Sequence, residues 1–360
     1  MSGGVDSSVA AALLARAGHE VIGVTLRLLP RGGEGFGCCG SPEDVLIAKR
    51  SADQVGIPHY VLDYSPDFDR DVVDYFVNSY VAGETPNPCL ACNRHIKFDK
   101  LKKFAQTVEA TYLATGHYAR IHEDAGRYRL YEAVDPTKDQ SYVLFNFNQE
   151  GLGSTLFPVG EVPKTEIRRL AREFGLPNAD KKDSQEICFV PNKDYRSFVK
   201  IRLEEKQAQG VGTAQPGPIR DSAGRMVGQH EGVAFYTVGQ RRGLGLSGSE
   251  PLYVTRLDPE TNTVVVGSDQ ENLSAGLKAE KINWISGAPP ALHFSAHVKI
   301  RYKHEPVPAQ VRLNGEGIEV LFETPQRAVT KGQAAVIYQW DAARNAREIL
   351  GGGKITGPHT

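Results

Sequence analysis

The feature that most constrains this chain is a change of texture near Glu205. Before it, helix-like and strand-like stretches alternate; after it, only short strand-like runs recur. Val9 to Ala17 reads as a helix stopped by Gly18, and Glu20 to Leu26 as an apolar strand. Ser41 can cap a helix, Pro42 suits its first turn and Gly56 suits its stop. His59 to Leu62 and Thr111 to Thr115 read as strands; 67–81, 98–108 and 163–174 read as helices. Such alternation predicts a parallel sheet with helices on both faces. Farther on, Leu252 to Thr255 and Thr263 to Val266 flank a turn at 258–262, and similar runs recur at 296–302, 309–313, 317–322 and 334–338. They predict two small barrel-like or sandwich-like β domains. The expected organisation is an α/β domain over 1–204, a central β domain over 205–275 and a C-terminal β-barrel over 276–360. The stretches near Gly276 and Pro289-Pro290 read as linker.

Composition narrows the setting. A chain of 360 residues suits two or three domains. No run approaches the roughly 18 apolar residues of a membrane span, and the first residues lack a basic-then-apolar leader. Five cysteines are an odd count in a long chain, which points to a reducing cytoplasm and to cysteines kept for chemistry or metal. The net charge is -1, but Gly276 to Thr360 carries 11 Lys and Arg against 7 Asp and Glu. A mildly basic C-terminal region on an acidic body can meet a phosphate backbone.

The strongest motif is Ser2-Gly3-Gly4-Val5-Asp6-Ser7-Ser8, which runs straight into a helix. Its glycines let backbone N–H groups approach an anion, the helix N-terminus adds its positive dipole end, and the serines add hydroxyl donors. Asp6 makes sense there as a holder of Mg²⁺. No Gly-Lys-Ser/Thr ends the motif, so it is not a Walker A loop. It resembles the PP-loop of the ATP pyrophosphatases, which split ATP between the α and β phosphates and leave AMP on the substrate. That resemblance implies an adenine-nucleotide α-hydrolase-like sheet, with ATP contacts from Met1 through Ser8, from Leu26 packed on adenine, and from Gly116. In that family a buried strand precedes the loop; here Met1 abuts Ser2, which predicts a weakened sheet.

Further motifs narrow the resemblance. Asn87-Pro88-Cys89-Leu90-Ala91-Cys92-Asn93 precedes Ile96-Lys97-Phe98, and Ala114-Thr115-Gly116-His117-Tyr118 follows a strand. Lys138-Asp139-Gln140-Ser141-Tyr142, Phe157-Pro158-Val159-Gly160, 182–189 (KDSQEICF) and 237–245 (TVGQRRGLG) complete the set. Together they resemble the tRNA-specific 2-thiouridylases, which place sulfur on C2 of a wobble uridine. The resemblance covers nearly the whole chain.

The chemistry suits these residues. Adenylation turns uracil O2 into a good leaving group, and a cysteine persulfide attacks C2. A second cysteine then takes over the sulfur chain, as a disulfide or by freeing hydrosulfide. The resemblance implies Cys188 as persulfide carrier and Cys92 as its partner. Many family members carry Asp at the position of Cys89. With Cys here, Cys89, Cys92 and Cys188 could also hold an iron–sulfur cluster. A zinc site with His95 is a third option, and a tolerated substitution at Cys89 is the plainest. Cys38-Cys39 read as loop residues near the nucleotide.

For RNA, the resemblance implies Asn87, Pro88 and Cys89 around the target base, with His117, Lys138, Asp139, Gln140, Arg301, Tyr302 and Gln333 as further contacts. Arg301-Tyr302-Lys303 offers a cation for phosphate and a ring for stacking on an unpaired base. The partners implied are the tRNA anticodon stem-loop and a sulfur-donor protein such as a cysteine desulfurase or sulfur relay, with no membrane. Two competing readings stay open: an ammonia-dependent PP-loop synthetase of the GMP or NAD synthetase kind, and a non-enzymatic Cys-rich RNA-binding protein.

Overall fold

The computed structural model describes residues 1–29, 40–183, 187–208, 215–246 and 250–359. The first helix, Val5–Arg16, starts at Gly4 in extended conformation and buries Val5, Ser8, Val9 and Ala10 to Ala12. The second, Pro42–Val55, has the predicted punctuation. Ser41 Oγ accepts from the Asp44 N–H at 3.1 Å, and Gly56 takes the left-handed conformation at φ 79°. Among the described residues before 205, parallel strands form two pairs: Gly23–Arg27 beside His59–Asp63, and Leu113–Ala114 beside Thr155–Leu156. Met1 lies along the first pair, and its carbonyl accepts from Thr25 Oγ1 at 2.6 Å.

Several segments differ from the sequence reading. Residues 88–107 form one composite run, with Pro88–Ala91, wide-turn residues Cys92–Phe98 and the helix Asp99–Thr107 in succession. The helix Tyr195–Ala208 carries helical structure past Glu205. Gly276 is no linker residue: it lies inside the strand Leu273–Trp284. There it is paired on both sides, with Leu321 and His359. The hairpin Ala119–Asp124 and Arg127–Glu132 has no counterpart in the sequence reading. Its turn uses Ala125 and Gly126 at positive φ, the geometry that matches strand twist.

The β-rich part divides in two. Strands Gly217–Asp221, Met226–His230, Tyr253–Asp258 and Thr263–Gly267 make a four-stranded sheet. The six strands from Leu273 to His359 close into a barrel, because Leu273–Trp284 pairs with both Gly317–Arg327 and Ala346–His359. The 119–132 hairpin adds to this barrel through Tyr131 opposite Glu348 and Leu130 opposite Ile349.

Burial then ties the three regions together. One apolar cluster joins Leu26, Phe68, Phe76, Cys92 and Phe189 to Ile219, Val254 and Val264 of the central sheet. A second joins Leu130, Tyr142 and Phe147 to Val336, Tyr338 and Ile349 of the barrel. Burial of a large side chain contributes about 1.5–3 kcal/mol, so both seams act as core rather than as loose domain contacts. Among the described residues, no helix is long and apolar enough to cross a membrane.

Candidate active site

The phosphate loop is held from several directions. Gly3 has φ +73°, and a Cβ there would meet the Asp44 carbonyl oxygen at 2.6 Å. Asn178, itself buried, donates to the Gly3 carbonyl at 3.1 Å and to Ser8 Oγ at 3.0 Å. Lys181 donates to the same Gly3 carbonyl at 3.3 Å and pairs with Asp44. The Ser2 N–H donates to Ser7 Oγ at 3.0 Å, which folds the loop back on the first helical turn. Gly116 presses on that turn from outside: a Cβ on it would meet the Ser7 nitrogen at 2.6 Å.

Asp6 is engaged in an ion-pair network. Its carboxylate accepts from Lys164 Nζ at 2.7 and 2.9 Å and from the Tyr118 hydroxyl at 2.7 Å. Burial, and then the Asp6 charge, push the Tyr118 phenol far above its ordinary value, so it stays a donor. Lys164 also pairs with Asp183 at 2.9 Å, which Lys138 and Arg168 reach at 2.8 and 2.9 Å. Burial alone would raise the Asp183 carboxyl, but hydrogen bonds from Lys138 and Lys164 and their charges hold it below its ordinary value. Four cations (Lys138, Lys164, Arg168 and Lys181) thus meet three carboxylates (Asp6, Asp44 and Asp183) beneath a helix N-terminus. Asp135, which accepts from the Lys164 N–H at 3.0 Å, brings the count to four against four, so positive character for an anion comes from the helix N-terminus and the loop N–H groups. Leu26 is buried in the neighbouring apolar cluster.

The cysteines sit on the other side of that cluster. Asn87 Oδ1 accepts from the Cys89 N–H at 3.1 Å and caps Pro88–Ala91. Cys89 is exposed, whereas Cys92, one turn on, is buried. Cys188, distant in sequence, packs on the same cluster as Cys92. Its neighbour Phe189 is wedged edge-on against Phe68 at 5.6 Å and Phe76 at 5.2 Å, which fixes the chain at Cys188. Tyr302 of the barrel feels the Cys89 charge: burial, then Asp139, then Cys89 push its phenol up to about 12.

Among the described residues, no group of three or more His, Cys, Asp or Glu side chains is placed to hold a metal. His95 faces Asp99 at 3.7 Å on the surface, away from a zinc arrangement with the cysteines. Cys38 and Cys39, and Ser184 to Glu186 beside Cys188, lie outside the described residues.

Comparison with known proteins bears directly on this pairing of phosphate loop and cysteine seam. Residues 1–192 match the family described as tRNA methyl transferase HUP domain, 207–268 its PRC-barrel domain, and 274–355 an aminomethyltransferase beta-barrel domain. The chain is 48% identical to the tRNA-specific 2-thiouridylase MnmA of Carboxydothermus hydrogenoformans, over 99% of this chain and 96% of that protein. The chain belongs to the tRNA-specific 2-thiouridylase family. The proteins of the same name from Solibacter usitatus and Moorella thermoacetica are 48% and 47% identical to it, each over 99% of this chain and over 97% and 98% of their own lengths.

Within this 2-thiouridylase chain, the residues expected at RNA fall into two groups. Asn87, Cys89, Tyr302 and, in part, Lys138 reach the surface. Pro88 is buried in the helix turn. His117 is 6% exposed, bonded through Nδ1 to Thr115 at 2.8 Å, and burial, then Lys97, hold it neutral. Asp139 turns inward: it accepts from Ala133 N–H, Ser141 N–H and Ser141 Oγ at 3.1, 3.2 and 2.8 Å and faces Lys299 at 3.9 Å. Gln140 accepts from the Tyr118 N–H at 3.0 Å. Arg301 donates to the Arg327 carbonyl at 2.9 Å, and Gln333 donates to the Thr85 and Pro86 carbonyls at 2.9 and 3.3 Å.

Lys164, Asn178 and Lys181 escaped the sequence reading. Pro163 marked a helix start, and a lysine in the first turn is out of place against the helix dipole. That misplaced cation was the available signal for Lys164. Asn178 and Lys181 carried none.

Proposed function

We propose that this chain makes 2-thiouridine at the wobble position of tRNA, in the cytoplasm. ATP adenylates uracil O2, pyrophosphate leaves, and sulfur carried on Cys188 replaces the oxygen at C2 as AMP departs. The observation that carries this reading is the shared apolar cluster of Cys92 and Cys188, set beside the phosphate loop and its ion-pair network.

The residues divide the work. Loop N–H groups from Ser2 to Ser8 bind phosphate, Lys164 and Lys181 add charge, and Gly116 keeps the loop closed. Asp6 is the loop carboxylate, a hard oxygen donor suited to Mg²⁺, which when bound neutralises charge on the leaving pyrophosphate. Asn87 to Cys89 and Tyr302 face the uridine, which must leave its stack to expose C2. The outer sulfur of a Cys188 persulfide attacks C2, and the oxygen leaves with AMP. The Cys92 thiolate then attacks the inner sulfur, so C2 keeps the outer one and a Cys92–Cys188 disulfide forms. A thiol reductant reopens that disulfide, and a sulfur-donor protein such as a cysteine desulfurase or sulfur relay reloads Cys188. The seam excludes water, which would otherwise hydrolyse the adenylate. Lys138, Asp139, Gln140, His117, Arg301 and Gln333 belong to the RNA-facing shell, either by contact or by holding it in place.

Cys89 separates the persulfide route from an iron–sulfur one. Its outward position, apart from buried Cys92, favours the persulfide route. Cys89→Asp should retain thiolation in air, within about tenfold of the starting rate. Loss of activity together with bleaching of a 400 nm absorbance at about that wavelength would instead indicate cluster chemistry. Pyrophosphate release assayed with and without tRNA separates the reading from its rivals. Release that needs ammonia and ignores tRNA would make the chain a small-molecule synthetase, and no release at all would leave only RNA binding.

A further inference from the structure

The segment that carries Cys89 and Cys92 is not held only by its own domain. It enters through residues 83–86, and these touch both β domains. Gly83, at φ +67°, lies so close to Pro259 of the central sheet that a Cβ would meet its Cγ at 2.6 Å. The next three residues dock on the turn that begins the barrel strand Ala334–Asp341. The Thr85 N–H donates to the Lys331 carbonyl at 2.8 Å. Gln333 Nε2 donates to the Thr85 carbonyl at 2.9 Å and to the Pro86 carbonyl at 3.3 Å. Glu84, with its side chain 13% exposed, pairs with Lys354 at 2.6 Å and Lys331 at 3.8 Å. Gly332, at φ +94°, has no room for a Cβ, which would lie 2.9 Å from Glu84 Cβ and 3.0 Å from the Thr85 oxygen.

The barrel side of this contact is fixed. The Gly332 N–H donates to the Ile355 carbonyl, and the Ile355 N–H donates to the Gln333 carbonyl, at 2.9 and 2.8 Å. The other side leads at once to chemistry: buried Pro86 is followed by Asn87, whose side chain caps the turn that presents Cys89. The same barrel supplies Tyr302, within electrostatic range of Cys89 and edge-on to Tyr142 at 6.2 Å. A shift of the barrel relative to the first domain would therefore move the Asn87 cap and the Tyr302 ring together.

We propose that the turn 330–333 is a latch between barrel and cysteine segment, in which Gln333 is a positioning residue that sets Asn87 and Cys89. This rests on reading 87–92 as the base-facing and sulfur-handling segment. The latch couples seating of an RNA on the barrel face to the geometry at Cys89. One side-chain amide thus serves two backbone carbonyls of the strap, and a carbonyl stripped of its partner leaves the strap free to move.

Gln333→Met keeps the side-chain length and removes the donor. Glu84→Gln breaks the ion pairs from the opposite side of the latch. For both variants, tRNA affinity should stay within about twofold, while thiolation at saturating tRNA falls about tenfold or more, since small misplacements of reacting groups are costly. Amide hydrogen exchange over 84–92 should rise about tenfold in both, with the melting temperature moved by less than about 3 °C. A Gln333→Met protein that loses tRNA affinity with exchange over 84–92 unchanged, while Glu84→Gln is silent, would make Gln333 an RNA contact and overturn the latch. The exchange measurement needs no activity. A starting protein that makes no 2-thiouridine would sink the functional reading while the latch is still judged by exchange.

Discussion

The phosphate loop and the cysteine segment are built on opposite principles. The loop is clamped: Gly3 and Gly116 admit backbone within van der Waals limits, and Asp6 is tied to Lys164 and Tyr118. The cysteine segment is braced at its ends. Cys92 is seated in an apolar seam and the 83–86 strap is docked on the barrel, yet the helix Asp99–Thr107 that follows buries no residue. The contrast suits a division of labour. Phosphate chemistry gains from donors that need no reorganisation. On the proposed chemistry, the cysteine segment admits a nucleotide and releases product, and it gains from a surface held by few contacts.

The largest expected effect separates the two regions outright. Cys188→Ser and Cys92→Ser should abolish 2-thiouridine formation while tRNA-dependent pyrophosphate release persists, because serine carries no persulfide. Wild-type thiolation by Cys188→Ser would break the cysteine argument. The mirror experiment is Asp6→Ala. Pyrophosphate release should fall about 10²–10³-fold while tRNA binding survives, the size expected when one preorganised electrostatic group is lost. Normal turnover in that variant would remove the loop from the mechanism.

A smaller effect tests whether the barrel face meets phosphate. Arg301→Ala should lower the slope of log affinity against log salt by about 0.7 to 0.9, the value of one phosphate contact. An unchanged slope would make Arg301 a brace for Arg327, to whose carbonyl it donates.

The smallest effect concerns acid stability of the loop network. The Asp183 carboxyl lies below its ordinary value, so the folded state takes up its proton later than the unfolded chain. Its contribution is complete above roughly pH 4 and is lost as pH falls through the folded value. Melting temperatures of the starting protein and Asp183→Asn should therefore differ by a constant amount above about pH 5 and converge as pH drops below about 4. A difference that stays constant over the whole range would mean that the Lys138 and Lys164 pairs contribute nothing there.

Local pattern was enough for much of the framework. Ser41, Pro42 and Gly56 marked their helix because caps and stops depend on neighbours within a turn. The change from helical to alternating texture announced the two β regions for the same reason, and Ser2 to Ser8 announced an anion site before a helix. The hairpin 119–132 was less legible. Asp124-Ala125-Gly126 between alternating runs was its only local sign, and its place on the barrel edge depends on Glu348 and Ile349.

The tertiary structure decided where polar side chains point. The family resemblance implied RNA contacts at Gln333 and Asp139, yet one bonds the strap at Thr85 and Pro86 and the other is closed in by Ser141 and Lys299. Lys164 meets Asp6 only because the helix Lys164–Glu173 packs against Val5–Arg16. Cys92 and Cys188 share a seam only because the central sheet closes over both. Periodicity records which face of an element is apolar, and so the sequence by itself determined many of the elements, the caps at Ser41 and Gly56, and the glycine-rich turn that opens the first helix. The partner of a buried charge or amide comes from a distant part of the chain, and burial without a partner costs about 1–3 kcal/mol. Packing therefore had to choose those partners, and the choice is visible only in three dimensions.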